Sequence, residues 1–246
     1  MRLSFLGTGG FHPNERRHTA SVLLPEQGVA FDAGTSFFRI QPQLKTKTLD
    51  VFLSHGHLDH ICGLTCMIVP IMLKDLEQMN VHGTQSTLDA VRNHMLAEPV
   101  FPVPIPNTNF IELPEGCVTL PDGGKLTHIP LQHPGGSTGF RIDWPNRSMA
   151  YITDTTAPGD YIEFIRDVDL LIHECYFPDG MQEWAAKTGH SHTSAVAQMA
   201  KDANVKQLYL VHIDPQRPDD DPVGLKLARS IFSDTHLAED RMEIEF

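Results

Sequence analysis

Long apolar runs are missing from this sequence, and so are the features of an exported protein. No stretch of the 246 residues approaches the roughly 20 consecutive apolar residues that a membrane-spanning helix needs. The first residues also lack an apolar segment followed by the small-residue cleavage site of a secretion signal. We therefore expect a soluble, cytoplasmic protein that does not associate with a membrane.

Cysteine is scarce as well, with four residues at positions 62, 66, 117 and 175. Four scattered cysteines in a chain of this length do not indicate a disulfide framework, and they fit a reducing compartment. Cys62 and Cys66 would share one face of a helix, a spacing that also suits two metal ligands. Without a second pair this signal is weak, so we expect Cys62 and Cys66 to be buried core thiols.

Basic side chains are outnumbered by acidic ones. The chain has 19 Lys and Arg against 31 Asp and Glu, which gives a formal net charge of −12. Because phosphate binding draws its affinity from Lys and Arg, this balance argues against a surface that binds nucleic acid. A bound divalent metal adds positive charge, so the acidic composition is compatible with a small anionic substrate.

What the sequence does contain is a regular succession of short apolar runs and turns, without internal repeats, low-complexity tracts or a long Ser/Gly linker. We therefore predict one domain over residues 1–246. The predicted strands are 3–6, 21–24, 29–32, 50–53, 108–113, 126–131, 139–142, 149–153, 170–173 and 208–212. Predicted helices begin after Cys62 and span 87–96 and 193–203. This order favours two sheets with helices packed on their outer faces.

A dense histidine cluster follows the predicted strand 50–53. His55 and His57 are separated by Gly56, which lets the backbone turn sharply so that both rings can point into the same space. Asp59 and His60 come next. Four ligands from six consecutive residues crowd a single ion, so the cluster predicts two metal ions close together.

Two ions need further ligands, and candidates follow three later strands. His133 comes after the run 126–131, Asp154 after 149–153, and His212 ends the run 208–212. Taken singly, each is explained as well by a buried, hydrogen-bonded side chain. Together with the cluster they predict a dinuclear metal centre.

The segment SHGHLDHICGL, residues 54–64, resembles the signature of the metallo-β-lactamase superfamily. The resemblance covers most of the chain and implies the α+β fold of that family, a four-layer αββα sandwich. It also implies two divalent ions, zinc first and manganese or iron as alternatives, that share seven ligands. One ion takes His55, His57 and His133, the other takes Asp59, His60 and His212, and Asp154 bridges them.

Later motifs resemble the ribonuclease Z and phosphodiesterase branch of that superfamily. They are HPGGSTGFRI at 133–142, YITDT at 151–155, HECYF at 173–177 and GHSHTSA at 189–195. True β-lactamases are usually exported and commonly place cysteine where this chain has Asp154. Thiolester hydrolases of the glyoxalase II type usually put the third histidine after a Pro-Gly pair, whereas His133 precedes one. Neither activity is therefore expected.

This chain differs from ribonuclease Z enzymes in the long arm with which those enzymes grip tRNA. In bacterial forms it lies between the third-motif histidine and the bridging aspartate, yet only about twenty residues separate His133 from Asp154, a normal connection between strands. We therefore predict a phosphodiesterase that acts on a small cyclic or nucleotide-like phosphodiester, with nucleic acid disfavoured as a partner. A ribonuclease Z-like tRNA 3′ endonuclease and a non-catalytic metal-binding regulatory domain are the alternatives. A homodimer is left open.

Three residues are candidates for catalytic roles. The resemblance implies an attacking hydroxide that bridges the ions, which Asp59 would orient as general base. The family's non-ligand histidine aligns with His192, whose following Thr-Ser-Ala matches the motif, and His190 is its rival. His192 would stabilise charge on the phosphoryl oxygens or protonate the leaving alkoxide, and Glu174 would hold His192 through a hydrogen bond.

Overall fold

Two seven-stranded mixed sheets lie at the centre of the protein. The structure is a computed structural model that describes residues 1–246. The first strands are β1 (Arg2–Gly7), β2 (Ser21–Leu24), β3 (Val29–Phe31), β4 (Thr48–Phe52), β5 (Gln78–Gly83), β6 (Thr108–Glu112) and β7 (Val118–Thr119). They are followed by β8 (Lys125–Leu131), β9 (Ser137–Trp144), β10 (Arg147–Ile152), β11 (Leu170–Glu174), β12 (Gln207–Val211), β13 (Thr235–Leu237) and β14 (Glu243–Glu245).

The strand order brings the ends of distant strands together. The first sheet has the order β14-β1-β2-β3-β4-β5-β6, and the second has the order β13-β12-β11-β10-β9-β8-β7. In the second sheet β10, β11 and β12 are parallel. Because β9 is antiparallel to both β8 and β10, β8 runs in the same direction as β10. The carboxyl ends of β8, β10, β11 and β12 therefore meet at one edge.

Helices cover the outer face of each sheet. They are α1 (Leu58–Ile61), α2 (Ile68–Met72), α3 (Gln85–Asp89), α4 (Ile162–Ile165), α5 (Gln182–Thr188), α6 (Thr193–Asp202) and α7 (Leu225–Ile231). A 3₁₀ segment, Cys62–Met67, joins α1 to α2, and a π-helical segment, Ala90–Met95, extends α3. The helices are all too short or too polar to cross a bilayer.

Three apolar layers hold these elements together. Between the sheets, Phe31 of β3 packs against Phe140 and Tyr151 of the second sheet. Leu64 belongs to the layer outside the first sheet, and Val196 of α6 to the layer outside the second. Full burial of one such side chain contributes about 1.5–3 kcal/mol. The resulting order of helices, sheet, sheet and helices is an α+β αββα sandwich, which confirms the predicted fold class.

The clearest omission from the predicted strands is β5. Its residues Met79 and Val81 are fully buried and alternate with the partly buried Gln78 and Asn80. Alternation of this kind is typical of a strand with one buried face. The polar residues of β5 mask that pattern when apolar runs alone are counted.

The cysteine prediction is wrong for Cys66. All four cysteines are free, but Cys62 is only partly buried and Cys66 is exposed. The neighbouring Ile61, Leu64 and Ile71 fill the side of this segment that faces the core. Cys66 therefore lies on the opposite side, towards solvent.

Candidate metal centre

The loop between β4 and α1, together with α1 itself, carries four of the seven predicted ligands. His57 has an extended backbone, with φ −70° and ψ 147°, and immediately precedes α1. Asp59 and His60 lie in the single turn of that helix, and His60 is fully buried. His55 lies in the loop that precedes α1 and is also buried. The side chains of Asp59 and His60 therefore lie close to the loop that precedes α1.

The other three predicted ligands lie just beyond strands of the second sheet. His133 follows β8, Asp154 follows β10 and His212 follows β12, at the edge where these strands end. Asp154 and His212 both have left-handed backbones, with φ values of 46° and 56°. That conformation costs free energy in residues other than glycine and persists mainly where a site requires it.

His55, His57, His133 and Asp154 form a first cluster of metal-ligating atoms. Each offers one nitrogen or oxygen atom, and these atoms lie within 4.8 Å of one another. His57 Nδ1 is 3.4 Å from His133 Nε2. Asp154 Oδ2 lies 3.6 Å from the Nε2 atoms of both His55 and His133. Three imidazoles and one carboxylate therefore converge on one small space.

Asp59, His60 and His212 form a second cluster whose atoms also lie within 4.8 Å of one another. The Nε2 atoms of His60 and His212 are 3.2 Å apart, and Asp59 Oδ2 is 3.2 Å and 3.4 Å from them. Asp154 Oδ1 lies 3.2 Å and 3.1 Å from the same two nitrogens. Asp154 thus turns one carboxylate oxygen towards each cluster, as a bridging ligand would.

Hydrogen bonds outside the clusters fix which imidazole nitrogen faces inward. His60 Nδ1 donates to Asp32 Oδ2 at 2.8 Å, and His133 Nδ1 donates to the carbonyl of Gly189 at 3.0 Å. Each of these rings therefore turns its Nε2 atom inward, the arrangement in which such outer partners orient a metal-binding histidine.

This donor set fits divalent metal ions. Inward-facing nitrogens at separations of 3.2 Å and 3.4 Å repel one another unless a proton or a cation lies between them. His55 Nε2 is buried without a hydrogen-bond partner, which is rare for a polar atom. Imidazole nitrogens and carboxylate oxygens are donors that zinc and related ions accept.

Burial and neighbouring charge set the ionisation of the two clusters. Burial favours a neutral Asp154, yet His212 and the other neighbouring histidines outweigh it and hold the pKa of this carboxyl well below its ordinary value. Burial likewise raises the pKa of Asp59, but His60 and His212 lower it by more, so this pKa lies far below its ordinary range. Burial lowers the pKa of His55 and His133, which favours the neutral imidazole that a metal ligand must be.

A cavity of about 450 Å³ opens over both clusters. Sites for small molecules typically measure about 300–1,000 Å³. The lining residues are Phe11, His57, Leu58, Asp59, His133, Pro134, Asp154, Thr188, His190 and His212. No lysine or arginine is among them, so positive charge at this cavity has to come from histidines and from metal.

His190, rather than His192, lies at this cavity. Its Nδ1 donates to Glu174 Oε1 at 2.9 Å, and its ring stacks on His212 with centroids 5.3 Å apart. Burial lowers the pKa of His190, but the charge of Glu174 and the hydrogen bond to it outweigh burial and raise the pKa to about 9. Glu174 therefore favours the protonated form of His190.

The predicted hydrogen bond between Glu174 and His192 is wrong. His192 lies at the N-terminus of α6, where its Nδ1 is 3.3 Å from Asp179 Oδ1, and it does not line the cavity. Asp179 also accepts the backbone N–H of Ser194 in the first turn of α6. The start of the helix thus holds His192 away from the clusters.

Two residues that support the site, Asp32 and Gly10, are absent from the site residues predicted from the sequence. Asp32 accepts hydrogen bonds from His60 and from the Tyr151 hydroxyl, the latter at 2.8 Å. A β-carbon on Gly10 would overlap the His212 ring. Asp32 directly follows β3, as Asp154 follows β10. The position of an aspartate just after an apolar strand was therefore the sequence signal that could have identified Asp32.

Comparison with known families agrees with this geometry. A family model described as a β-lactamase superfamily domain matches residues 28–213. The chain is also 29% identical to ribonuclease Z of the archaeon Methanosarcina acetivorans, over 100% of this chain and 98% of that relative.

Solved structures show the same sandwich. The metallo-β-lactamase fold protein YhfI of Bacillus subtilis has a TM-score of 0.83 at 22% identity and covers 99% of each chain. A structure described as a new diphosphatase from the PhnP family has a TM-score of 0.75 at 21% identity, covering 100% of this chain and 97% of that one. At these identities the likeness is one of fold.

Proposed function

The chain belongs to the β-lactamase superfamily and is a metal-dependent hydrolase, and we propose that it hydrolyses a small cyclic or nucleotide-like phosphodiester. One observation carries this proposal: seven metal-ligating side chains converge beneath a cavity of about 450 Å³ that no lysine or arginine lines. A cavity of this size suits a small ester. A polymer with many phosphates would need a basic surface around it.

We assign two divalent ions, zinc first, to the two clusters, with Asp154 shared between them. When bound, such ions polarise phosphoryl oxygens and lower the pKa of bound water towards neutrality. Asp59 is then a ligand rather than the general base that the sequence suggests. Its Oδ2 lies 3.2 Å from His60 Nε2 and 3.4 Å from His212 Nε2, where these three side chains would hold the second ion together, and it also accepts the N–H of Phe11.

We assign proton donation to His190. Hydrolysis of a diester adds water to phosphorus and breaks one P–O bond, and the leaving alkoxide must gain a proton to depart as an alcohol. His190 lies at the cavity, and its hydrogen bond to Glu174 favours the protonated ring, which suits it as this general acid. Glu174 positions His190, and it is itself fixed by the backbone N–H groups of Thr155 and Ser191.

A ribonuclease Z-like tRNA endonuclease is the second candidate, favoured by the 29% identical relative of that name. Two observations count against it. The chain between His133 and Asp154 forms the β9–β10 hairpin, which leaves no room for an arm there. Arg16 and Arg17, in the loop that carries Phe11, are ion-paired with Glu239, which offsets the positive charge that they offer to RNA phosphates.

Parallel assays separate the candidates. The zinc-loaded chain is offered bis(p-nitrophenyl) phosphate and a precursor tRNA under the same conditions. We expect hydrolysis of the diester and an intact tRNA. Rapid removal of the tRNA 3′ trailer with negligible diester turnover would favour the nuclease. Full metal content without turnover of phosphodiesters, thiolesters or lactams would indicate a non-catalytic regulatory domain.

Gly10→Ala is expected to weaken metal binding without unfolding the chain. Its β-carbon would lie closer than 3.0 Å to the His212 ring, which must then move away from the second cluster. Loss of a group that orients a ligand weakens metal affinity by about 10–100-fold, and we expect an effect of that size. Chelator competition measures it. In the control Gly9→Ala the new β-carbon approaches Arg17 and His18 at 3.2 Å instead; equal metal loss in both variants would contradict the role of Gly10.

Glu174→Gln is expected to move the alkaline limb of the pH–kcat profile to lower pH. Burial lowers the pKa of His190, but Glu174 is the main group that raises it, to a net value of about 9, and a general acid works only while it is protonated. Activity of the wild type should therefore fall as pH rises through the raised pKa, and activity of the variant should fall earlier. The profiles are measured on an alkyl diester, whose leaving alkoxide needs a proton, and below the unfolding temperature of the variant, established by circular dichroism. An unshifted limb would argue against His190 as the acid.

We also propose that residues 1–246 act as one hydrolase domain, since the apolar layer between the sheets joins the first half of the chain to the second. We also propose that the chain forms a homodimer, which sedimentation velocity of the metal-loaded chain tests.

A further inference from the structure

A strained turn carries an exposed aromatic ring at the mouth of the cavity. Phe11 has a φ of 61°, and the N–H of His12 donates to the carbonyl of Gly10 at 2.7 Å. Residues 10–12 therefore form a γ-turn of the positive-φ kind, which is rare and strained. A bulky side chain at its centre is an outlier, whereas glycine would adopt this backbone readily. The presence of phenylalanine there needs a reason.

Neighbouring hydrogen bonds fix this turn. The N–H of Gly10 donates to the carbonyl of Ile213 at 3.0 Å, and the N–H of Phe11 donates to Asp59 Oδ2 at 2.8 Å. The Phe11 side chain is nevertheless 72% exposed, and its ring meets that of His12 edge-on with centroids 5.4 Å apart. The backbone is thus held beside a metal-facing carboxylate, and this residue with its exposed ring lines the cavity.

Leu58 adds a second apolar side chain to the same cavity. It is 68% exposed and directly precedes Asp59 in the chain. A single exposed apolar residue is ordinary on a protein surface. Here two large ones flank Asp59 in a cavity whose other walls are mostly histidines and carboxylates. The cavity therefore has an apolar wall beside a charged floor.

We propose that Phe11, supported by Leu58, stacks against a flat aromatic group of the substrate, the base of a nucleoside whose phosphate lies at the two clusters. This inference rests on the proposed function and narrows its substrate class to nucleotide-like esters. Every nucleobase has a π face, so stacking on an aromatic side chain recognises bases without reading their identity. Because the Phe11 backbone contacts Asp59, the base that stacks on the ring belongs to the nucleoside next to the bound phosphate.

Calorimetric titration of the zinc-loaded full chain with adenosine 5′-monophosphate and with ribose 5-phosphate tests the inference, because the two probes differ by the base. We expect the wild type to bind the nucleotide about tenfold more tightly, as one stacked base should contribute. Phe11→Gly removes the ring while suiting the backbone, and it should bind both probes equally. Phe11→Tyr should keep the preference. Phe38→Ala, at an exposed aromatic residue outside the cavity, is the matched control and should keep it too.

Equal affinity for the two probes in the wild type, failure to bind either one, or a preference that persists in Phe11→Gly would overturn the inference. Thermal unfolding establishes that Phe11→Gly is folded, and glycine at positive φ should not lower its Tm. The proposed function fails separately if no diester is hydrolysed while the preference for the nucleotide still depends on Phe11. Diester hydrolysis without any such preference defeats the inference alone.

Discussion

Asp154→Asn is expected to remove both metal ions and all measurable hydrolysis. Each carboxylate oxygen of Asp154 faces one cluster, at 3.1–3.6 Å from its imidazole nitrogens. Loss of a residue that merely orients a ligand weakens metal affinity by about 10–100-fold, so loss of a shared ligand should exceed about 100-fold for each ion. Asparagine tolerates the left-handed backbone of residue 154, which keeps the fold in place. Elemental analysis after dialysis against a weak chelator measures the loss.

His57→Ala is the matched comparison because His57 belongs to the first cluster alone. We expect this variant to retain the ion of the second cluster and to lose activity, so metal content should fall from two ions per chain to one. An Asp154→Asn protein that keeps both ions would refute the bridging role. An active His57→Ala variant with full metal content would refute the ligand assignment.

His190→Gln is expected to lower kcat by about 10²–10⁴-fold while metal content stays unchanged, the usual effect of losing a general acid. Glutamine can still donate a hydrogen bond to the buried Glu174, which limits the loss of stability. The corresponding His192→Gln variant should keep nearly full activity, since His192 lies beside Asp179 rather than at the cavity.

The leaving group supplies a sharper readout of the same role. A p-nitrophenolate departs without help from an acid, whereas an alkoxide needs a proton. The effect of His190→Gln should therefore be much larger for an alkyl diester than for a p-nitrophenyl diester. Equal losses of kcat on both substrates would indicate that His190 only binds the substrate and does not donate the proton. A large loss of kcat in His192→Gln with little loss in His190→Gln would assign the acid to His192 instead.

The metal clusters were accessible from the sequence because their spacing is mostly local. His55, His57, Asp59 and His60 lie within one loop and one helical turn, so their proximity follows from the chain itself. His133, Asp154 and His212 each follow an apolar run, and equivalent ends of strands that run in the same direction meet at one edge of a sheet. Local spacing and strand direction together bring all seven side chains into two adjoining clusters.

The choice between His190 and His192 lay beyond local pattern. His190 and His192 are two residues apart, and both precede the same Thr-Ser-Ala sequence. The outcome depends on contacts with residues outside this motif: Glu174 at the end of β11 reaches His190, and Asp179, which accepts the N–H of Ser194 in α6, reaches His192. No periodicity in the sequence encodes which of these pairings forms.

Phe11 and Asp32 escaped prediction for a related reason. Their backbones have φ values of 61° and 57°, which the order of side chains along the sequence does not predict. Their importance comes from partners distant in sequence, Asp59 for Phe11 and Tyr151 for Asp32. Strain of this kind at a site becomes visible once the backbone is known.

The most direct test of the dinuclear centre is an anomalous difference map from crystals of the zinc-loaded chain, measured on both sides of the zinc absorption edge. We expect two peaks per chain with Asp154 between them. One should lie beside His55, His57 and His133, and the other beside Asp59, His60 and His212. A single peak, or peaks away from these residues, would contradict the assignment of a shared carboxylate and two ions on which the proposed hydrolysis depends.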